Sequence, residues 1–164
     1  MKNKINFKAI LGILISSILL GILYNTFSSD GIDFIRKEIK IDFVEIGETS
    51  KNENLKGINI SQTMDLYNKK SAIFIDARDQ WEFSDAHILG AVNIPEFSFS
   101  KDDSTLSDIS KSSILVIYCD GDDCDTSKRL AKQISDFGYE NIYVFLGGMK
   151  SWIEAELPIC KGKK

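Results

Sequence analysis

Five consecutive residues, Ile114-Leu115-Val116-Ile117-Tyr118, carry no charge and no turn former, and they run directly into Cys119. A short apolar run rich in β-branched residues and bounded by polar segments specifies a strand buried on both faces. Beyond it the period changes. After a polar loop, Leu130, Ala131, Ile134 and Phe137 recur at helical spacing, and Gly138 stands where a left-handed residue would close that helix. A second apolar run over residues 142–146 leads through Gly147-Gly148 into a helix carrying Trp152. Strands alternating with helices specify a parallel sheet covered on both faces, and such sheets bind ligands at the carboxyl ends of their strands. Cys119 lies at such an end.

Upstream the signals are shorter. Residues 40–45 alternate like a strand, residues 47–56 read as a polar loop, and Ser61 is a candidate cap for a helix to about residue 67. Ala72-Ile73-Phe74-Ile75 suits a buried strand, residues 81–83 one helical turn, and residues 91–93 a brief strand stopped by Pro95. Residues 101–110 are polar and read as partly helical.

The first residues are of another kind. Residues 9–24 form an apolar run interrupted only by Gly12, Ser16, Ser17 and Gly21, with Lys2, Lys4 and Lys8 ahead of it. This is the pattern of a signal anchor or a secretory signal. As a helix the run measures about 24 Å, and extending it over residues 5–27 brings it to the ~30 Å of a bilayer core if Lys8 snorkels. No convincing cleavage site follows, so an uncleaved anchor is the expectation and a cleaved signal, with a secreted or periplasmic product, the alternative. Lysines ahead of the span keep the N-terminus in the cytoplasm and put the body outside it. The expected organisation is therefore an anchor over 1–27, a juxtamembrane linker and first strand over 28–57 with a helical stretch at 32–38, a catalytic-type domain over 58–160, and a basic tail over 161–164.

Charge narrows the partners. The chain has 20 basic and 24 acidic side chains; removing the three anchor lysines leaves 17 against 24, or -7 for the body. An acidic body is unsuited to nucleic acid, which demands a basic footprint. Three cysteines are too few for a disulfide scaffold.

The motifs in order resemble those of rhodanese-like domains. Asp76-Ala77-Arg78, Trp81-Glu82-Phe83 and the segment from His87 through Gly90-Ala91-Val92-Asn93-Ile94-Pro95 resemble the first signature. Tyr118-Cys119 is similar to the strand and nucleophile that follow it. Gly138-Tyr139, Asn141-Ile142-Tyr143-Val144, Gly147-Gly148, Trp152 and Leu157-Pro158 resemble the close. The resemblance implies an α/β three-layer sandwich around a five-stranded parallel sheet. It implies that Cys119 takes a sulfane sulfur as a persulfide, cradled by the loop Asp120, Gly121, Asp122, Asp123, Cys124, Asp125, Thr126 and Ser127. No cofactor or metal is implied.

Two departures stand out. Ala86 replaces the usual glycine before the histidine, and the loop is longer than the usual cradle, with four aspartates and no basic residue. Related phosphatases need an arginine six residues after the cysteine; Asp125 occupies that position, which argues against phosphate chemistry. The aspartates disfavour a thiolate and repel dianionic thiosulfate, so the expected donor is a small persulfide or a persulfidated protein. Cys124 is a candidate resolving thiol or alternative nucleophile. Asp76 and Arg78 read as a structural ion pair, His87 as a hydrogen-bonded structural residue, Gly147-Gly148 as a tight turn, Trp81 and Trp152 as core side chains, and Cys160 as incidental. The competing functions are a thiol–disulfide redox protein using Cys119 and Cys124, and a silent binding module of the same fold.

Overall fold

The computed structural model describes residues 6–28, 39–47, 55–100, 104–121 and 124–162. Two compact units, Met1–Glu38 and Ile39–Lys164, make up the chain. In the first, helix α1 (Phe7–Phe27) has 21 residues and no buried ones. It is longer than the apolar run alone, and at about 1.5 Å per residue it matches a bilayer core. Asn6 caps it by accepting from Ala9 N–H, and the Ser16, Ser17 and Thr26 hydroxyls donate back to helix carbonyls, so these hydroxyls are satisfied within the helix. The proposed helical stretch at 32–38 lies outside the described residues.

In the second unit the elements follow in order: β1 (Ile41–Phe43), β2 (Leu55–Ile58), α2 (Ile60–Asn68), β3 (Ile73–Asp76), α3 (Gln80–Asp85), β4 (Ala86–Ile88), β5 (Val92–Asn93), α4 (Ser104–Ser107), β6 (Leu115–Tyr118), α5 (Thr126–Asp136), β7 (Ile142–Phe145), α6 (Gly148–Glu154) and β8 (Ile159–Lys161). The main sheet is parallel, with strand order β1-β2-β7-β6-β3-β5; β4 and β8 form a separate antiparallel pair. The sheet has six strands where five were expected. The addition is β2, hidden in what read as a loop: Leu-Lys-Gly-Ile has no clear alternation, and Lys56 is carried in the strand with its Nζ 5.6 Å above the Tyr143 ring.

Period-two alternation divides the core. Leu115 and Ile117 of β6 face Leu130, Ala131 and Ile134 of α5 and Leu106 of α4. Val116 and Tyr118 face Leu66 of α2 and Met149 and Trp152 of α6. Both faces of β6 and β7 are therefore covered, which is why these strands read as unbroken apolar runs. Local structure differs from the sequence reading in two places. Asn59, not Ser61, starts α2 through a reciprocal capping box with Gln62. Asp79 starts α3 by accepting from Trp81 and Glu82 N–H, which turns Trp81 outward: it is 85% exposed, while Trp152 is fully buried. A helix this short half-buries one flank only, and Phe83, stacked on His87 at 3.8 Å, takes it.

Candidate active site

Cys119 follows the last residue of β6, one of the two central strands, and is 1% exposed. The loop after it leads to the N-terminus of α5, whose first-turn Ser127 is also buried and places its hydroxyl 3.2 Å from Cys119 Sγ. A disulfide joins Cys119 to Cys124, with the Cα atoms 6.4 Å apart. Cys124 N–H donates to Gly121 O at 3.0 Å, so the loop doubles back on itself to bring the second sulfur to the strand end. Asp122 and Asp123 lie outside the described residues. Asp120 is exposed. Asp125 stands at the N-cap position of α5, but its carboxylate pairs with Lys128 at 2.8 Å and makes no capping bond. Thr126 opens the helix and its Oγ1 accepts from Arg129 at 3.3 Å.

The loop is clamped by its neighbours. Met149 N–H donates to Cys119 O at 2.8 Å and Lys150 N–H to Asp120 O at 2.9 Å, so the start of α6 holds the first two loop carbonyls. This close approach requires Gly148. Its φ is +54°, and a Cβ there would come 2.5 Å from Cys119 O and 2.8 Å from Gly121 N. Gly148→Ala is accordingly expected to destabilise the fold by about 1–3 kcal/mol through backbone strain and displacement of the cysteine loop. Gly90→Ala is the comparison: φ is +88° there, but no atom lies within 4 Å of the added Cβ, so only the conformational cost remains. Equal losses in urea titrations of the two variants would contradict the clamp. Gly147 adjoins this turn, and a Cβ there would come 2.7 Å from Ser151 Cβ and 3.1 Å from the Phe145 ring.

Beside the cysteine, the end of β3 supplies a rigid wall. Arg78 grips Asp76 with two donors, Nε to Oδ1 at 3.0 Å and Nη2 to Oδ2 at 2.7 Å, while Nη2 also donates to Ala86 O at 2.7 Å. Asp76 is fully buried. Burial pulls the Arg78 guanidinium down, but the hydrogen bonds and charge of Asp76 outweigh it and leave it raised. Asn93 bridges the turn by donating to Asp76 O and Arg78 O, and Ala77 N–H donates to Tyr118 O at 2.9 Å, tying the wall to the residue before Cys119. Burial, with the negative charge of Asp76 next, holds the Tyr118 hydroxyl protonated far above the ordinary phenol range, and it accepts from Ile88 N–H. His87 Nδ1 lies 2.7 Å from Phe83 O, and its backbone pairs with that of Cys160 in the β4–β8 ribbon.

The loop sequence has no basic residue, yet tertiary structure brings cations to it. Arg129 binds Glu96 through two bonds of 3.0 and 3.1 Å at the first turns of α5, and those bonds raise it despite partial burial. Lys128 neutralises Asp125, and the Lys150 stem lies 3.7 Å from the position a Gly121 Cβ would take. The sequence reading missed Glu96, Arg129 and Lys150. Only the helical i, i+3 spacing of Asp125 and Lys128 was visible in the chain itself.

The family model described as a rhodanese-like domain matches residues 60–155. The chain is 32% identical over 91 residues to the thiosulfate sulfurtransferase GlpE of Haemophilus influenzae (strain PittEE), spanning 56% of this chain and 82% of that protein. It is 30% identical over 112 residues to an uncharacterized protein of Buchnera aphidicola subsp. Schizaphis graminum, spanning 67% of this chain and 74% of the relative. The crystal structure of a rhodanese-related protein from Thermoplasma volcanium superposes with a TM-score of 0.52 at 26% identity, over 63% of this chain and 96% of that one. A Bacillus halodurans protein shares the fold, with a TM-score of 0.59 at 22% identity over 64% and 76% of the two chains.

Proposed function

Because the chain belongs to the rhodanese-like domain family, we propose that Cys119 accepts a sulfane sulfur, holds it as a persulfide and passes it to a thiol or another nucleophile. The observation that carries this reading is the position of Cys119: it ends a central strand, at the mouth of a loop that leads into the N-terminus of α5, with the Ser127 hydroxyl 3.2 Å from Sγ. A helix N-terminus favours negative charge, and a hydroxyl donor stabilises a thiolate or a persulfide anion. The disulfide to Cys124 is the oxidised state, and reduction frees Sγ for attack.

The donor suited to this loop is a persulfide on a small thiol or on a protein. Asp120, Asp122, Asp123 and Asp125 crowd one segment, and the nearby cations are committed in part to Asp125 and Glu96. Thiosulfate, with two charges, meets repulsion that a persulfide on a neutral thiol does not. Loading from thiosulfate is expected to be slower than from cysteamine persulfide, whose ammonium offsets the persulfide charge, and to accelerate as salt screens the aspartates; a rate that falls with ionic strength would contradict this electrostatic account. The lysines ahead of α1 and the apolar length of that helix support a single-pass anchor with the sulfur-handling unit outside the cytoplasm, and release after cleavage is the alternative.

Sulfur uptake is tested by intact mass. The reduced Cys124→Ser variant, which has no disulfide to form in this loop, is expected to gain one sulfur atom from glutathione persulfide, and Cys119→Ser in the same background is expected to gain none. Retention of the gain without Cys119 would overturn the assignment.

A further inference from the structure

We propose that Cys124 gives this site a second activity, the reduction of sulfane sulfur to hydrogen sulfide: it attacks the persulfide on Cys119 and leaves the Cys119–Cys124 disulfide. The proposal rests on Cys119 as the sulfur acceptor and adds to it the fate of the sulfur. A carrier needs one thiol. Here a second lies at bonding distance from the first, with a Cα separation of 6.4 Å that falls within the ordinary range for a disulfide.

The rest of the loop favours the step. Cys119 O and Asp120 O are held by α6, and Cys124 N–H is held by Gly121 O, so both ends of the sulfur pair are set by backbone bonds. A thiol placed this way acts at an effective concentration far above any external thiol, and it therefore competes with transfer to an outside acceptor. The two sulfurs also differ in access. Cys119 is 1% exposed and Cys124 is half-buried. Exchange proceeds at the sulfur an incoming thiolate can reach, with the other leaving. Cys119 is the better leaving thiolate, because Ser127 stands 3.2 Å from its Sγ.

The cycle balances in three steps. The reduced Cys119 thiolate attacks the outer sulfur of a persulfide R–S–SH; the S–S bond of the donor breaks, RSH leaves after taking up a proton, and Cys119–S–SH forms. The Cys124 thiolate then attacks Cys119 Sγ; the Cys119–Cys124 bond forms, the bond to the outer sulfur breaks, and that sulfur leaves as HS⁻ with the electron pair. The two cysteines are oxidised by two electrons and the sulfane sulfur is reduced by two. An external dithiol resets the site by attacking Cys124 Sγ, expelling the Cys119 thiolate and ending as its own disulfide.

The experiment follows the full chain in detergent, reduced and freed of reductant, after addition of glutathione persulfide. Sulfide release and intact mass are read together for wild type, Cys124→Ser, Cys124→Ala and Cys119→Ser, the last setting the background. Wild type is expected to release sulfide and to end two hydrogens lighter. Both Cys124 variants are expected to end one sulfur heavier, with sulfide release down about tenfold or more, as befits losing an intramolecular thiol. Should wild type keep the added sulfur and release no more sulfide than the Cys124 variants, the reductive step is wrong and the carrier reading stands. Should neither Cys124 variant take up sulfur, the carrier reading itself fails and the reductive step falls with it.

Discussion

Replacing Asp76 by alanine with Arg78 left in place is expected to lower the stability of the folded unit by about 3–5 kcal/mol, the range for breaking a buried ion pair on one side. Asp76 is fully buried and Arg78 nearly so, and the carboxylate accepts from the Nε and Nη2 donors of the guanidinium as well as from the Arg78 backbone N–H. Removing the carboxylate leaves a buried cation facing Ala86 O at 2.7 Å and the half-exposed Glu82 carboxylate at 3.9 Å, and its uncompensated desolvation, not the loss of a favourable bond, sets the magnitude. The corollary is the informative part. A double variant, Asp76→Leu with Arg78→Met, removes both charges and is expected to be much less destabilised than Asp76→Ala alone, although Ala86 O loses its donor. Urea titrations of the single and double variants decide the matter. A single variant within about 1 kcal/mol of wild type would show that Arg78 finds water or another partner, and that the wall beside Cys119 does not depend on the pair.

Trp152→Ala is expected to cost about 3–5 kcal/mol, the usual loss for a large aromatic side chain removed from a core. Trp152 is fully buried and meets Tyr67, Phe74 and Phe145 at centroid distances of 5.0, 6.0 and 6.4 Å, so it joins α2, β3 and β7 through one side chain. The effect reaches the site because α6 carries the N–H groups of Met149 and Lys150 that hold the loop at Cys119 O and Asp120 O. Loosening α6 releases that clamp, and sulfur uptake by Cys119 is expected to fall together with stability. Trp152→Phe separates volume from hydrogen bonding. The indole N–H donates to Pro158 O at 3.0 Å, but that carbonyl also accepts from Leu89 N–H at 3.2 Å and is not orphaned by the change. The phenylalanine variant should therefore lose only about 1–2 kcal/mol, from reduced volume and one replaceable bond. Comparable losses for Ala and Phe would mean that the hydrogen bond, not the packing, holds α6.

How much was legible in the chain can be argued from β6 and β2. β6 is buried on both faces, so every residue is apolar and the strand, its direction into Cys119 and its place in a parallel sheet are all readable from Leu115-Val116-Ile117-Tyr118. β2 is Leu-Lys-Gly-Ile, and nothing local distinguishes it from a loop: Lys56 is accommodated by the ring of Tyr143, some eighty-seven positions away in the chain (143 minus 56). The same division runs through the site. Cys119, the acidic loop and Gly147-Gly148 announce themselves by type and order, whereas Glu96, Arg129 and Lys150 carry no local mark and reach the loop only by folding. Trp81 and Trp152 are alike as letters, and only the capping of α3 by Asp79 and the position of α6 decide that one is exposed and the other buried.

Hydrophobic periodicity and the spacing of glycines are properties of neighbours along the chain, and they determined the fold class, the helix that can cross a membrane and the strand end that bears the cysteine. The pairing of Cys119 with Cys124, the two-donor grip of Arg78 on Asp76 and the pairing of Arg129 with Glu96 depend on which segments meet, and tertiary structure alone decided them. The physical reason is range: apolar patterning acts over a few residues, while charge pairing and sulfur–sulfur contact act over a few ångströms, irrespective of distance in sequence.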